Sequence, residues 1–149
     1  MSVGEFAGAI GRGLFAGAIG TVAMTASSTA EMKLRDREGS SAPADAAGKM
    51  LGVQPRDEDG QARFANIIHW SYGTSWGAAR GVIDAMGLTG TTAAAAHFAA
   101  VWGSAQVMLP ALDVAPLAWE MPPKELAIDA FHHAVYAGAT SLAFAALDA

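Results

Sequence analysis

Four long stretches of this chain carry no charged side chain: Gly13–Ala30, Phe64–Ala79, Thr89–Leu112 and Ala130–Leu147. Each is close to the roughly 18–20 residues that cross a bilayer as a helix. No strand-like alternation runs through them. The charge they lack is concentrated elsewhere. Six of the nine Lys/Arg and seven of the fourteen Asp/Glu lie between Glu31 and Arg63. A polar middle between apolar flanks predicts an all-α, four-helix transmembrane bundle in a single membrane domain, with a charged cytoplasmic loop between helices 1 and 2. The predicted helices are about 5–32, 62–87, 90–110 and 123–147. The polar loop covers 33–61 and holds a short interfacial helix near 42–51.

Helix punctuation agrees with this division. Gly87 can close the second helix and Thr89 can cap the third. Pro110 falls at the end of the third. Pro122 and Pro123 suit the first turn of the fourth. Ser41 and Pro43 open the short helix and Gly52 closes it. Its Ala46, Ala47, Met50 and Leu51 suit a membrane surface.

Orientation follows from the basic residues. Lys33, Arg35, Arg37, Lys49, Arg56, Arg63 and Lys124 fall on one side, against Arg12 and Arg80 on the other. The positive-inside rule then places the long loop in the cytoplasm and both termini outside. Trp119 occupies an expected interfacial position. The net charge of −5 offers no basic patch for phosphates, so nucleic acid is not an expected partner. Without cysteine, disulfides and thiolate metal sites are excluded.

The hexapeptide FAGAIG occurs twice, at Phe6–Gly11 and Phe15–Gly20. A nine-residue shift rotates a helix by half a turn, so Gly4, Gly8 and Gly11 face away from Gly13, Gly17 and Gly20. Either the helix breaks at Gly11–Gly13 or its halves meet different neighbours. Gly73, Gly77 and Gly81 repeat the small-xxx-small spacing in helix two. Such glycines cost helix propensity and favour close helix contact in lipid. The contact is either within the chain or between copies.

Polar residues are also grouped. Glu125, Asp129, His132, His133, Tyr136 and Thr140 share one stripe of helix four. His69 lies on helix two at a similar depth, and Arg80 with Asp84 can form an i,i+4 ion pair there. Ionisable residues at membrane depth usually face protein or water. His69, His132 and His133 are therefore candidate ligands of haem or a divalent metal, or with Asp129 members of a proton or ion path. Interhelical hydrogen bonding is the structural alternative. No catalytic residue stands out. GRGLFAG lacks the Lys-Ser/Thr ending of a phosphate loop, and GTSWG lacks the spacing of a nucleophile elbow.

With the glycine-rich GLFAGAIGTVAMTASS and the late FHHAVYAG in view, the chain resembles small multi-pass bacterial inner-membrane proteins of the YagU-like family. That resemblance implies an inner-membrane location and carries over no catalytic residue. The expected role is an accessory or oligomerising subunit, surrounded by lipid, as a homo-oligomer or as part of a larger membrane complex. The alternative is a histidine-containing bundle that binds a cofactor or moves protons.

Overall fold

The computed structural model describes residues 2–148. They form five α-helices and one short 3-10 turn, with no strand among the described residues: α1 (Val3–Arg35), α2 (Ala42–Leu51), α3 (Glu58–Ala85), α4 (Gly90–Ala111) and α5 (Pro123–Asp148). The chain is all-α.

Local chemistry sets the ends. Ser2 accepts from the Glu5 amide at 3.2 Å while its own amide donates to the Glu5 carboxylate at 2.6 Å, a reciprocal cap that starts α1. Asp57 does the same work for α3, accepting from Gly60 N at 2.7 Å. Gly52 stops α2 at φ 66°. α1 runs unbroken through Gly11–Gly13, so its two glycine faces belong to one helix.

α1 is the centre of the bundle, packed on α3 and α5, with α4 against α5 and α3. Arg12 pairs with Asp148 at 2.8 Å at one end. At the other, Arg35 pairs with Glu125. α1 and α5 are therefore antiparallel along their whole length.

The α1–α3 contact is made of small residues. Gly13, Gly17 and Gly20 are buried on α1, and Gly77 and Gly81 on α3. A Cβ at Gly17 would stand 2.7 Å from Gly77 Cα, and one at Gly81 would stand 2.7 Å from the Ala9 carbonyl carbon. At Gly73 it would meet the Thr21 side chain, and at Gly20 the Tyr136 carbonyl oxygen at 2.9 Å. The six glycines of the expected packing set thus fit within one chain. Gly4, Gly8 and Gly11 face outward, and nothing lies within 4 Å of a Cβ built at Gly11.

Phe144, Tyr136, Val101 and Ile83 are buried, but many other large apolar side chains are on the outside. Phe15, Val22, Ile67, Val107, Phe131 and Leu142 are all more than half exposed, and they come from all four long helices. The inner face of α1 is Ala9, Gly13, Ala16, Gly17, Gly20 and Thr21. For α1, small-in and large-out inverts the pattern that water selects. Among the described residues one helix, α1, is long and apolar enough to cross a membrane by length and composition. α3, α4 and α5 have charge-free runs, but Ser, Thr, His, Gly and Gln within them lower their apolarity. Freedom from charge is a weaker property than hydrophobicity.

Candidate functional site

The polar stripe of α5 divides among three neighbours. Glu125 and His132 face α1. Arg35 Nη1 donates to Glu125 Oε2 at 3.0 Å, and Arg35 Nη2 also reaches the same carboxylate. His132 Nδ1 lies 2.8 Å from Ser27 Oγ, and its Nε2 lies 3.8 Å from Glu31 Oε2. Arg35 and Arg37 both donate to Glu31. The Arg37 hydrogen bonds are the largest cause that takes the Glu31 carboxyl from 4.5 to about 2. Arg35 likewise holds Glu125 below its ordinary value. This end of the bundle is an ionic clasp.

Asp129 and His133 face α4 instead. Asp129 Oδ2 accepts from Trp102 Nε1 at 2.8 Å and from Gln106 Nε2 at 3.4 Å. His133 Nδ1 lies 2.9 Å from the Asp129 carbonyl oxygen and 3.4 Å from Oδ1. Tyr136 turns to α3, donating to the Gly73 carbonyl at 2.6 Å. Thr140 is fully buried near Gly20.

On α3, His69 Nε2 is 2.8 Å from Thr25 Oγ1 of α1. Arg80 and Asp84 approach to 3.8 Å, beyond hydrogen-bond reach. The Arg80 guanidinium sits closer to a ring, 4.2 Å from the Phe144 centroid, and is 3% exposed. His97 is buried on α4, 3.0 Å from the Trp76 carbonyl and 5.6 Å from the Tyr136 ring. His97 is not among the residues singled out from sequence. Its position on an Ala-rich face was the available signal.

A cavity of about 600 Å³ lies between these helices and beneath α2. His69, Asp129, His133 and Tyr136 all line it, together with Tyr72 and Trp76. Thr21, Ser40, Ser71 and Ser75 add hydroxyls, and the rest of the wall is apolar, with Met24, Ile68, Val101, Met108 and Leu109 prominent. α2 supplies Ala46, Ala47, Met50 and Leu51 to the lining. Ala46 is buried, whereas Met50 and Leu51 stay about two-thirds exposed. Lys49 fastens this cover by donating to the Leu112 and Asp113 carbonyls at 2.6 and 3.0 Å, at the open C-terminal end of α4.

His132 does not line the cavity, so the three candidate histidines are not one set. Among the described residues no group of three or more His, Cys, Asp or Glu is placed to hold a metal ion. Sequence reading found His69, Asp129, His133 and Tyr136. It missed Tyr72 and the covering role of α2. The apolar face of 42–51, read as lying on a membrane surface, was the signal for that cover. Comparison with family models, curated proteins and solved structures finds no match to this chain.

Proposed function

We propose that this chain is a multi-pass inner-membrane protein with both termini outside, and that it binds an apolar small molecule in the cavity beneath α2. The membrane placement rests on the inverted packing. Glycine and alanine on the inner face of α1, with exposed Phe, Ile, Val and Leu on the four long helices, suit lipid, where close backbone packing replaces the hydrophobic drive. The binding role rests on one observation: a cavity of about 600 Å³ that is apolar except for a few convergent polar groups.

A proton path through the same residues has less support. The chain His133–Asp129–Trp102 ends on an indole N–H, which donates and does not accept. Haem or metal binding in the cavity loses His132, which does not line it and whose Nδ1 is engaged with Ser27.

The accessory-subunit reading remains the second, on a different surface. The six glycines of the packing set are engaged within the chain, but Gly4, Gly8 and Gly11 are exposed on the same face of α1 as Phe15. Native mass spectrometry from mild detergent separates the two. A retained small-molecule mass, lost when Ala105→Phe fills the cavity, is the expected result. A multiple of the 15.2 kDa chain, or foreign subunits, with no small-molecule mass favours the assembly role.

A further inference from the structure

We infer that the cavity's ligand is a lipophilic cation: a compact apolar molecule bearing a positively charged nitrogen and hydrogen-bond donors. The inference rests on the cavity being a ligand site, and it comes from following each proton in the lining. Thr25 donates its only hydroxyl proton to the Thr21 carbonyl at 2.7 Å. The 2.8 Å contact to His69 then requires His69 Nε2 to be the donor, which leaves Nδ1 as a lone pair. The Asp129 carbonyl only accepts, so His133 Nδ1 is protonated and its Nε2 is a lone pair in the neutral ring. Tyr136 gives its proton to Gly73 O, so its oxygen only accepts.

The lining serine and threonine hydroxyls of α1 and α3 are committed in the same way. Thr21 donates to Gly17 O at 2.8 Å, Ser71 to Ile67 O at 2.6 Å and Ser75 to Tyr72 O at 2.8 Å. Ser40, Tyr72 and Trp76 keep a proton to offer, and none of them is charged. The polar wall is dominated by acceptors, which select a ligand that donates.

Charge points the same way. Asp129 lines the cavity, and no Lys or Arg does. A carboxylate in a low-dielectric site is stabilised by a cation and repels an anion. Tyr72, Trp76 and Tyr136 in the lining supply aromatic rings of the kind that attract a cation. A fatty acid or a phosphate head would meet lone pairs and a like charge. Met24 and Met108 give walls that adapt to varied apolar bodies.

The test uses the full chain in mild detergent at pH 8.5, about two units above the ordinary imidazole value. The probes are ethidium, a fluorescent lipophilic cation with two amino donors, and the neutral fluorophore N-phenyl-1-naphthylamine. Ethidium anisotropy is expected to saturate, with the neutral probe bound at least about tenfold more weakly. Asp129→Asn keeps an acceptor for Trp102 and is expected to weaken ethidium about tenfold or more while sparing the neutral probe. Ala105→Phe is expected to remove both, with Met108→Trp as the substitute if that variant does not fold. Equal binding of the two probes, or an Asp129→Asn variant that binds ethidium unchanged, overturns the cation inference and leaves the cavity standing. Failure of either probe to bind in a way that filling the cavity alters overturns the ligand-site reading and this inference with it.

Discussion

Replacing Gly17 with alanine sets a methyl carbon 2.7 Å from Gly77 Cα and 2.7 Å from the Thr74 carbonyl oxygen. Carbon atoms rest at about 3.5–4.0 Å, so α1 and α3 must part by about 1 Å. The obstacles are backbone atoms, and no side-chain rotation relieves them. Overpacking of this kind costs about 1–3 kcal/mol, and a rigid obstacle belongs at the upper end. Alanine returns up to about 1 kcal/mol of helix propensity, leaving a net loss of about 2 kcal/mol. For a chain of this length that is about 4–8 °C in Tm. Gly11→Ala is the control on the same helix, because nothing lies within 4 Å of its Cβ. It keeps the propensity gain without the clash, so its Tm is expected to hold or rise by about 2–4 °C. The assay is thermal unfolding of both variants in the same detergent, followed by scattering and by intrinsic tryptophan fluorescence. Equal shifts for Gly17→Ala and Gly11→Ala would refute the glycine-built contact between α1 and α3.

The ionic clasp makes acid stability a second readout. Because the folded state lowers the Glu31 carboxyl from 4.5 to about 2, its stabilisation is complete above pH 4.5 and disappears as pH falls through that interval. Glu31→Gln is expected to flatten this acid limb in pH-dependent melts, leaving a smaller slope from Glu125; an unaltered limb contradicts the clasp. Lys49 donates to the Leu112 and Asp113 carbonyls, so Lys49→Ala is expected to speed amide hydrogen exchange in 42–51 and leave α3 and α5 unchanged. Unchanged exchange in 42–51 would mean that apolar contacts alone hold α2 in place.

The helical class was legible because charge-free runs, glycines and prolines divide the chain without ambiguity. Gly52 and Pro123 stand at element ends for local steric reasons that need no tertiary knowledge. The spacing of Gly13, Gly17 and Gly20 showed that a close contact existed, but spacing is the same whether the partner is α3 or another copy. The α5 stripe shows the other limit. A helical wheel puts Glu125, Asp129, His132 and Tyr136 on one side, yet neighbours at different levels divide them among α1, α4 and α3. The cavity was not legible. It depends on where α2 folds back, and that placement combines packing on α3 with Lys49 meeting the end of α4, far away in sequence.

The chain has no cysteine, so single cysteines can be introduced as reporters of membrane topology. The most direct measurement labels Gln54→Cys and Leu88→Cys in intact spheroplasts with a membrane-impermeant maleimide, and again after lysis. The account predicts that the Leu88 position reacts at once, and that the Gln54 position reacts only after lysis, with the protein retained in membranes washed in alkaline carbonate. Labelling of the Gln54 position in intact cells, or release of the protein into the carbonate wash, would contradict it.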